Sequence, residues 1–356
     1  MRHPVKEYKI ALIPGDGVGV EVIDATWQVL NATSDRFDFK LVPESFDWSC
    51  QYYAKTGKMM PDDGIERLRR FDSILLGAVG WPEQVPDSIS LHGLLLPIRK
   101  AFDLYVNSRP HKLLPGTSGP LKKEHFDILC IRENTEGEYS GAGGRVHVGT
   151  ADEVAVETSI FTRRGVERIL RYAFEQAQKR SGKLASVTKS NAQRHSMVFW
   201  DEVTREVAFD YPNVEVTRYH IDAIAARFVM QPETLDVVVG SNLFGDILTD
   251  LGAAIQGGLG FAASANINPA GGVPSMFEPV HGSAPDIAGQ GIANPLAAIW
   301  SGALMLEHLG EVSAGKAVLS AIEATTSSGR FKGRDQGGSM TTNEIASAVV
   351  ASLLSP

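Results

Sequence analysis

Cysteine is scarce: Cys50 and Cys130 are the only two in 356 residues. They stand far apart and show no metal-ligand spacing, so a disulfide framework and a cysteine metal site are both disfavoured, and a reducing cytoplasm fits. Long hydrophobic runs are missing as well. Met1 to Ile13 carries charges and no apolar stretch of signal-peptide length, and no later run approaches a membrane span. Positive charge is not in excess, because 34 basic residues face 42 acidic ones for a net −8. That balance argues against nucleic acid as partner. Internal repeats and low-complexity tracts are absent. What remains is a chain too long for one ordinary core, for which two domains are expected.

Short apolar runs punctuate the chain at Lys9–Ile13, Ser73–Leu76, Phe126–Ile131, Leu184–Thr188, Val214–Thr217 and Leu235–Val239. Helical spacing follows several of them, over Val20–Asn31, Arg163–Lys179 and Asn191–Val207. This alternation predicts an α/β chain with substantial parallel sheet. The stretch from Ser140 to Val156 alternates like an exposed antiparallel arm, which in an oligomer can pair with a partner chain. Gly252–Ala265 reads as a helix-and-turn region.

Against the acidic background, three arginines stand beside apolar or strand-end sequence: Arg99, Arg109 and Arg132. Guanidinium is costly to desolvate unless it meets an anion, and its planar fork suits carboxylate or phosphate. Any one alone reads first as a structural ion pair. Asp246 and Asp250 lie four apart, a spacing that sets both carboxylates on one helical face as a hard divalent cation requires. Asp is a poor helix-interior residue, although Asp246 near a helix start also gains from the dipole. Asp222 reads either as a helix N-cap or as a third carboxylate for the metal. Lys189 ends a strand-like run; buried near arginines it would have a depressed pKa and serve as a base. Tyr139, in the polar stretch after Arg132, is a candidate general acid, with a tyrosine simply packed in a turn as the plainer reading.

Two loops complete the inventory. Gly15-Asp16-Gly17-Val18-Gly19 follows a strand and precedes a helix, but runs G-x-G-x-G and not G-x-G-x-x-G, so no Rossmann fingerprint is assigned. A tight strand-helix turn explains it equally well. Glu278 to Gly289 has small residues that let backbone approach a flat ligand. Within it Asp286 is suited to the two hydroxyls of an adenosine ribose and would repel a 2′-phosphate, favouring NAD over NADP.

Taken together these residues resemble the metal-dependent β-decarboxylating dehydrogenases, the family of isocitrate, 3-isopropylmalate and tartrate/D-malate dehydrogenases. The resemblance runs from Ile13–Gly17 to Glu278–Asp286, and Gly240-Ser241-Asn242-Leu243-Phe244-Gly245-Asp246-Ile247-Leu248-Thr249-Asp250 is similar to the family signature. It implies a two-domain α/β fold of the isocitrate/isopropylmalate dehydrogenase type, not Rossmann. Residues 1–104 plus 257–356 would form the cofactor-side domain, and 105–256 the substrate, metal and dimerisation domain. It further implies that Arg99, Arg109 and Arg132 hold the substrate carboxylates. Asp246 and Asp250, with Asp222 from the other subunit, would hold Mg²⁺ or Mn²⁺. Lys189, also from the other subunit, would assist proton removal from the hydroxyl, and Tyr139 would protonate the enolate. His281, Gly282, Ser283, Ala284, Asp286, Ile287 and Asn294 would line the NAD site. A homodimer with active sites shared between subunits follows.

Within that family the segment before Arg99 bears on substrate choice. Isocitrate dehydrogenases are expected to carry a hydroxyl and an amide where this chain has Gly93 and Leu95. Leu95 and Leu96 suit an isopropyl group, but His92 stands where isopropylmalate enzymes carry an acid. Leu94–Arg99, Tyr105–Pro110, Ser275–Pro279 and Ala297–Ser301 look most like tartrate/D-malate dehydrogenases, whose usual residue at position 92 is Trp. The expected substrate is therefore D-malate, oxidised and decarboxylated to pyruvate, with tartrate related and 3-isopropylmalate, the leucine-biosynthesis substrate, as the alternative.

Overall fold

The computed structural model describes residues 5–122, 125–330 and 333–355, so the first four residues of the Met1–Ile13 stretch lie outside it. Its strands are β1 Lys6–Gly15, β2 Phe39–Ser45, β3 Ser73–Ala78, β4 Val106–Lys112, β5 Asp127–Glu133, β6 Gly137–Val146, β7 Val154–Ile160, β8 Lys183–Thr188, β9 Glu215–His220, β10 Val237–Gly240, β11 Ala263–Ile267 and β12 Ser275–Pro279. The chain divides into two compact units. One comprises 1–104, 113–122 and 253–356, the other 105–112 and 123–252.

In the first unit the strand order is β2-β1-β3-β12-β11, parallel except for the β11–β12 pair. Ile74, Leu75 and Leu76 are almost wholly buried, as expected of a strand covered on both faces. One core of this unit gathers Ile13, Leu76, Trp48 and Phe71 with Leu94, Ile98 and Phe102 from the segment before and after Arg99. Each such apolar side chain contributes about 1.5–3 kcal/mol.

The second unit orders β4-β5-β10-β8-β9, parallel except for β4–β5. Helices Arg163–Lys179 and Ser196–Ala208 pack on it. The second helix begins later than its periodicity predicts, because the N–H groups of Ala192 and Gln193 both close a turn onto the Lys189 carbonyl. Strands β6 and β7 form a separate antiparallel ribbon. Val146, Val154, Val156 and Ile160 all stand exposed on it, giving the arm that the alternation predicts. Among the described residues no helix is long and apolar enough to cross a membrane.

Candidate active site

The glycine turn proves to be a packing device. Gly15 and Gly17 have positive φ, and a Cβ on Gly17 would sit 1.9 Å from the Ser283 carbonyl oxygen. The Val18 N–H donates to that same oxygen at 2.8 Å. Asp16 between the glycines accepts from the Cys50 N–H and, at 3.0 Å, from the Gly80 N–H. The turn therefore seats the Ser283 loop against the start of the Val18–Phe37 helix, and the plainer of its two readings holds.

That loop carries the expected NAD residues. Ser283 donates through its hydroxyl to the Gly80 carbonyl. Ala284 adopts φ +38°, rare for a residue with a side chain. With Ile287 it packs on the cluster of Val18, Val22, Ala293 and Ala298. Gly282 faces open space. Asp286 is exposed, and its carboxylate takes no partner among the described residues. His281 is partly buried; its Nδ1 lies 2.9 Å from the Gly282 carbonyl oxygen and its Nε2 has no partner among the described residues. Burial lowers its pKa, which keeps the ring neutral at pH 7. Asn294 donates to Asp335 at 2.8 Å, a partner that sequence reasoning missed because Asp335 lies 41 residues away in a short turn.

Arg99, in the same unit, stands in the last turn of the helical segment Leu96–Ala101 and is buried. Its Nη2 donates to Glu278 at 2.8 Å, while its Nε has no partner among the described residues. Asn266 donates to the same carboxylate oxygen. The anion met by Arg99 in this chain is thus Glu278, at the end of β12.

In the second unit Arg109 and Arg132 converge on one helix. Arg109 lies on β4 and Arg132 near the end of β5, directly paired strands. Asn242–Ile255 forms a helix after β10. Asn242, Asp246, Thr249 and Asp250 recur on its face at three- and four-residue spacing. The Arg132 Nε and Nη2 donate to Asn242 Oδ1 at 3.0 and 2.7 Å, and its Nη1 to Asp246 Oδ1. Arg109 donates to Thr249 at 2.7 Å and stands 3.7 Å from Asp246 and 3.9 Å from Asp250. A Cβ at Gly245 would lie 2.6 Å from the Arg132 Cβ, so only glycine lets the helix approach this closely. Asn242, Thr249, Gly245 and Glu138, which accepts from the Ser241 hydroxyl and the Leu243 N–H, were not singled out individually in the sequence. Their roles depend on contacts 100 or more residues apart.

Tyr139 joins the same cluster. Its hydroxyl donates to Asp246 Oδ2 at 2.9 Å, and its ring lies 5.4 Å from the Arg132 guanidinium. Burial and then the Asp246 charge raise its pKa, against the opposing pull of Arg132. Burial also raises that of Asp250, Arg109 opposes it, and Asp246 adds to it. Two arginines and two aspartates balance in charge. Lys189 and Asp222 pair with each other, Nζ to Oδ1 at 2.6 Å. The neighbour of Lys189 is thus a carboxylate and not an arginine, and the Lys189 hydrogen bond in turn holds the Asp222 pKa down. Asp222 is not the N-cap; His220 is, and Asp222 stands in the first turn of the Ile221–Met230 helix. Among the described residues no three His, Cys, Asp or Glu side chains gather as a metal site.

Comparison with known proteins fits this geometry. The model of the isocitrate/isopropylmalate dehydrogenase family matches residues 9–349. The chain belongs to that family. A probable tartrate dehydrogenase/decarboxylase of Bacillus subtilis (strain 168) is 52% identical over 98% of this chain and 99% of the relative. D-malate dehydrogenase (decarboxylating) of Escherichia coli (strain K12) is 53% identical over 98% and 99%. The crystal structure of isocitrate dehydrogenase from Methylococcus capsulatus is 36% identical, covers 97% of this chain and 99% of its own, and superposes with a TM-score of 0.89. The family fold expected from the motifs, and the rejection of a Rossmann domain, are correct.

Proposed function

We propose that this family member oxidises and decarboxylates a 2-hydroxy dicarboxylic acid with NAD, D-malate to pyruvate and CO₂, with tartrate as a related substrate. The observation that carries the reading is the charge-balanced cluster of Arg109, Arg132, Asp246 and Asp250. A divalent cation adds two positive charges to it and a dicarboxylate two negative ones, so the pair enters without net cost in charge. The relatives at about half identity add the substrate class, since their names specify tartrate and D-malate.

The donor set fits Mg²⁺ or Mn²⁺, because carboxylate oxygens are hard ligands. Asp246 and Asp250 would supply two of them. Asp222 would come from the partner subunit, which accords with the two carboxylates gathered within one chain. Asp286, exposed and with no side-chain partner among the described residues, suits the ribose of NAD, and the exposed valines of the β6–β7 ribbon suit a homodimer. When bound, the cation supplies Lewis acidity and NAD the hydride acceptor. Arg109, Arg132 and Arg99 orient the substrate carboxylates, Arg99 by exchanging or sharing its bond to Glu278. Lys189 of the partner subunit assists removal of the hydroxyl proton. Tyr139, which keeps its proton at neutral pH, delivers it to the enolate carbon once CO₂ has left. A cytoplasmic setting belongs to the same proposal and rests on two buried, unpaired thiols.

The deciding experiment follows NADH formation with Mn²⁺ and NAD⁺ on D-malate, L-tartrate, 3-isopropylmalate and isocitrate at equal concentration. The highest kcat/KM is expected for D-malate. A clear preference for 3-isopropylmalate would overturn the substrate and assign Leu95 and Leu96 to its isopropyl group. Absence of NADH with every acid would overturn the reaction itself.

A further inference from the structure

The Ser196–Ala208 helix buries one stripe, and one member of that stripe is an acid. Met197, Trp200, Asp201, Val203, Thr204 and Val207 are its buried residues, at the three- and four-residue spacing of an apolar face. The polar atoms around Asp201 satisfy one another. The Trp200 Nε1 donates to the Ser186 hydroxyl at 3.1 Å, that oxygen lies 3.3 Å from the Thr204 hydroxyl, and the Thr204 hydroxyl donates to the Trp200 carbonyl at 2.8 Å. Asp201 is only half used. It is 7% exposed; its Oδ2 accepts from Arg218 Nη1 at 3.1 Å, while its Oδ1 is buried with no partner among the described residues. A buried carboxylate oxygen without a donor is costly to keep and calls for one from outside the chain.

Asp201 lines a cavity of about 290 Å³ whose wall is otherwise Ser190, Asn191, Arg205, Arg218, His220 and one apolar residue. A second cavity of about 250 Å³ shares Asp201, Arg205 and Arg218 with it. Arg205 forms no ion pair among the described residues, and its Nε makes only a long bond to the Asp201 carbonyl, at 3.4 Å. The Nδ1 of His220 is buried and likewise without a partner among them. Two guanidinium groups against one carboxylate leave the wall with a net positive charge. The volume falls just short of the ~300–1,000 Å³ of sites for drug-sized ligands, which sets the ligand at the size of a small metabolite.

We propose that this cavity binds an α-amino dicarboxylic acid of the size of aspartate or glutamate. Its two carboxylates meet Arg205 and Arg218, whose planar forks suit them, and its ammonium meets the Oδ1 of Asp201. The single negative charge of the ligand cancels the single positive charge of the wall. A dicarboxylate without nitrogen would leave that oxygen unsatisfied and bring one negative charge too many. A simple amino acid would leave one arginine without an anion. None of these groups takes part in the proposed reaction, although Ser190 follows Lys189 directly and His220 stands two residues before Asp222.

The test is calorimetric titration of the full chain, without Mn²⁺ or NAD⁺, with L-aspartate, L-glutamate, succinate and L-alanine. At least one amino dicarboxylate is expected to bind about tenfold or more tighter than succinate and L-alanine. Arg205→Ala and Asp201→Asn should each weaken that binding about tenfold or more, the scale of a lost charged hydrogen bond. Arg205 is exposed, so its variant keeps the test open should the buried Asp201→Asn fail to fold. Succinate bound as tightly as the amino acids would overturn the ligand class. Binding that Arg205→Ala leaves unchanged would place the ligand elsewhere, as a malate analogue on Arg109 and Arg132, and overturn the site. No binding up to about 10 mM would overturn both. None of these outcomes requires turnover, so failure of the proposed reaction reads out separately.

Discussion

Single residues differ in how much of their role is written beside them. The i, i+4 spacing of Asp246 and Asp250 is enough to predict a shared face, and Arg109 does stand within 4 Å of both. Asp286 is similarly legible: an acid in a loop of small residues, and in the structure exposed with no side-chain partner among the described residues. Exchanging it for Lys should weaken NAD binding about tenfold or more, the scale of a lost charged hydrogen bond, as read by the change in protein tryptophan fluorescence on titration with NAD⁺. Unaltered affinity would remove it from the ribose. Glu133 was not legible at all. It follows Arg132 in β5, is buried, and accepts from the Thr135 N–H and hydroxyl and from the Glu136 N–H. Burial nevertheless pushes its pKa up to about 7. Above pH 4.5 the unfolded chain releases this proton while the folded chain keeps it, so stability falls as pH rises toward 7 and is flat beyond. The fall amounts to about 3 kcal/mol at most. His111, held at about 3 by burial and the Arg109 charge, works in the opposite direction below pH 6.5. The informative quantity is therefore the difference between wild type and Glu133→Gln in urea unfolding from pH 5 to 8. It should narrow or reverse across that window as the wild type alone pays for ionisation; a constant difference would refute the raised pKa.

At the scale of elements, periodicity located strands and helices wherever local burial decides them, as in β1, β3 and the Arg163–Lys179 helix. It misplaced the start of the Ser196–Ala208 helix, because a turn onto the Lys189 carbonyl intervenes. It was silent on the π-helical turn Leu91–Leu95. That turn is fixed by Met59, more than thirty residues earlier, whose Cγ would lie 2.6 Å from a Cβ on Gly93, and no pattern within the segment announces it. The glycine turn at Gly15–Gly19 shows the same limit, since its reason is the Ser283 carbonyl. Packing of this kind is measurable. Gly93→Ala should destabilise by about 1–3 kcal/mol, the usual cost of overpacking, and Met59→Ala by about 2–5. The double variant should cost less than the sum by at least about 1 kcal/mol, because the smaller side chain makes room for the new methyl. Strict additivity in a chemical-denaturation cycle would mean that Met59 does not pin the turn.

At the scale of the whole molecule the proposed site divides between chains, and that division has a consequence no single variant shows. Asp250, Asp246 and Tyr139 cluster together, whereas Lys189 and Asp222 hold each other. If Lys189 and Asp222 serve the partner, Asp250→Asn and Lys189→Ala homodimers each lose both sites. Turnover should drop at least about a hundredfold in each, with little change in stability for Asp250→Asn because its side chain is 66% exposed. A hybrid dimer of one Asp250→Asn chain and one Lys189→Ala chain behaves differently. One of its sites collects both defects, and the other joins the intact Asp250 of the second chain to the intact Lys189 of the first. Isolated through two affinity tags, the hybrid should recover about half the wild-type rate, as two-fold symmetry with shared sites requires. Were each site built within one chain, both sites of the hybrid would carry one defect and no activity would return.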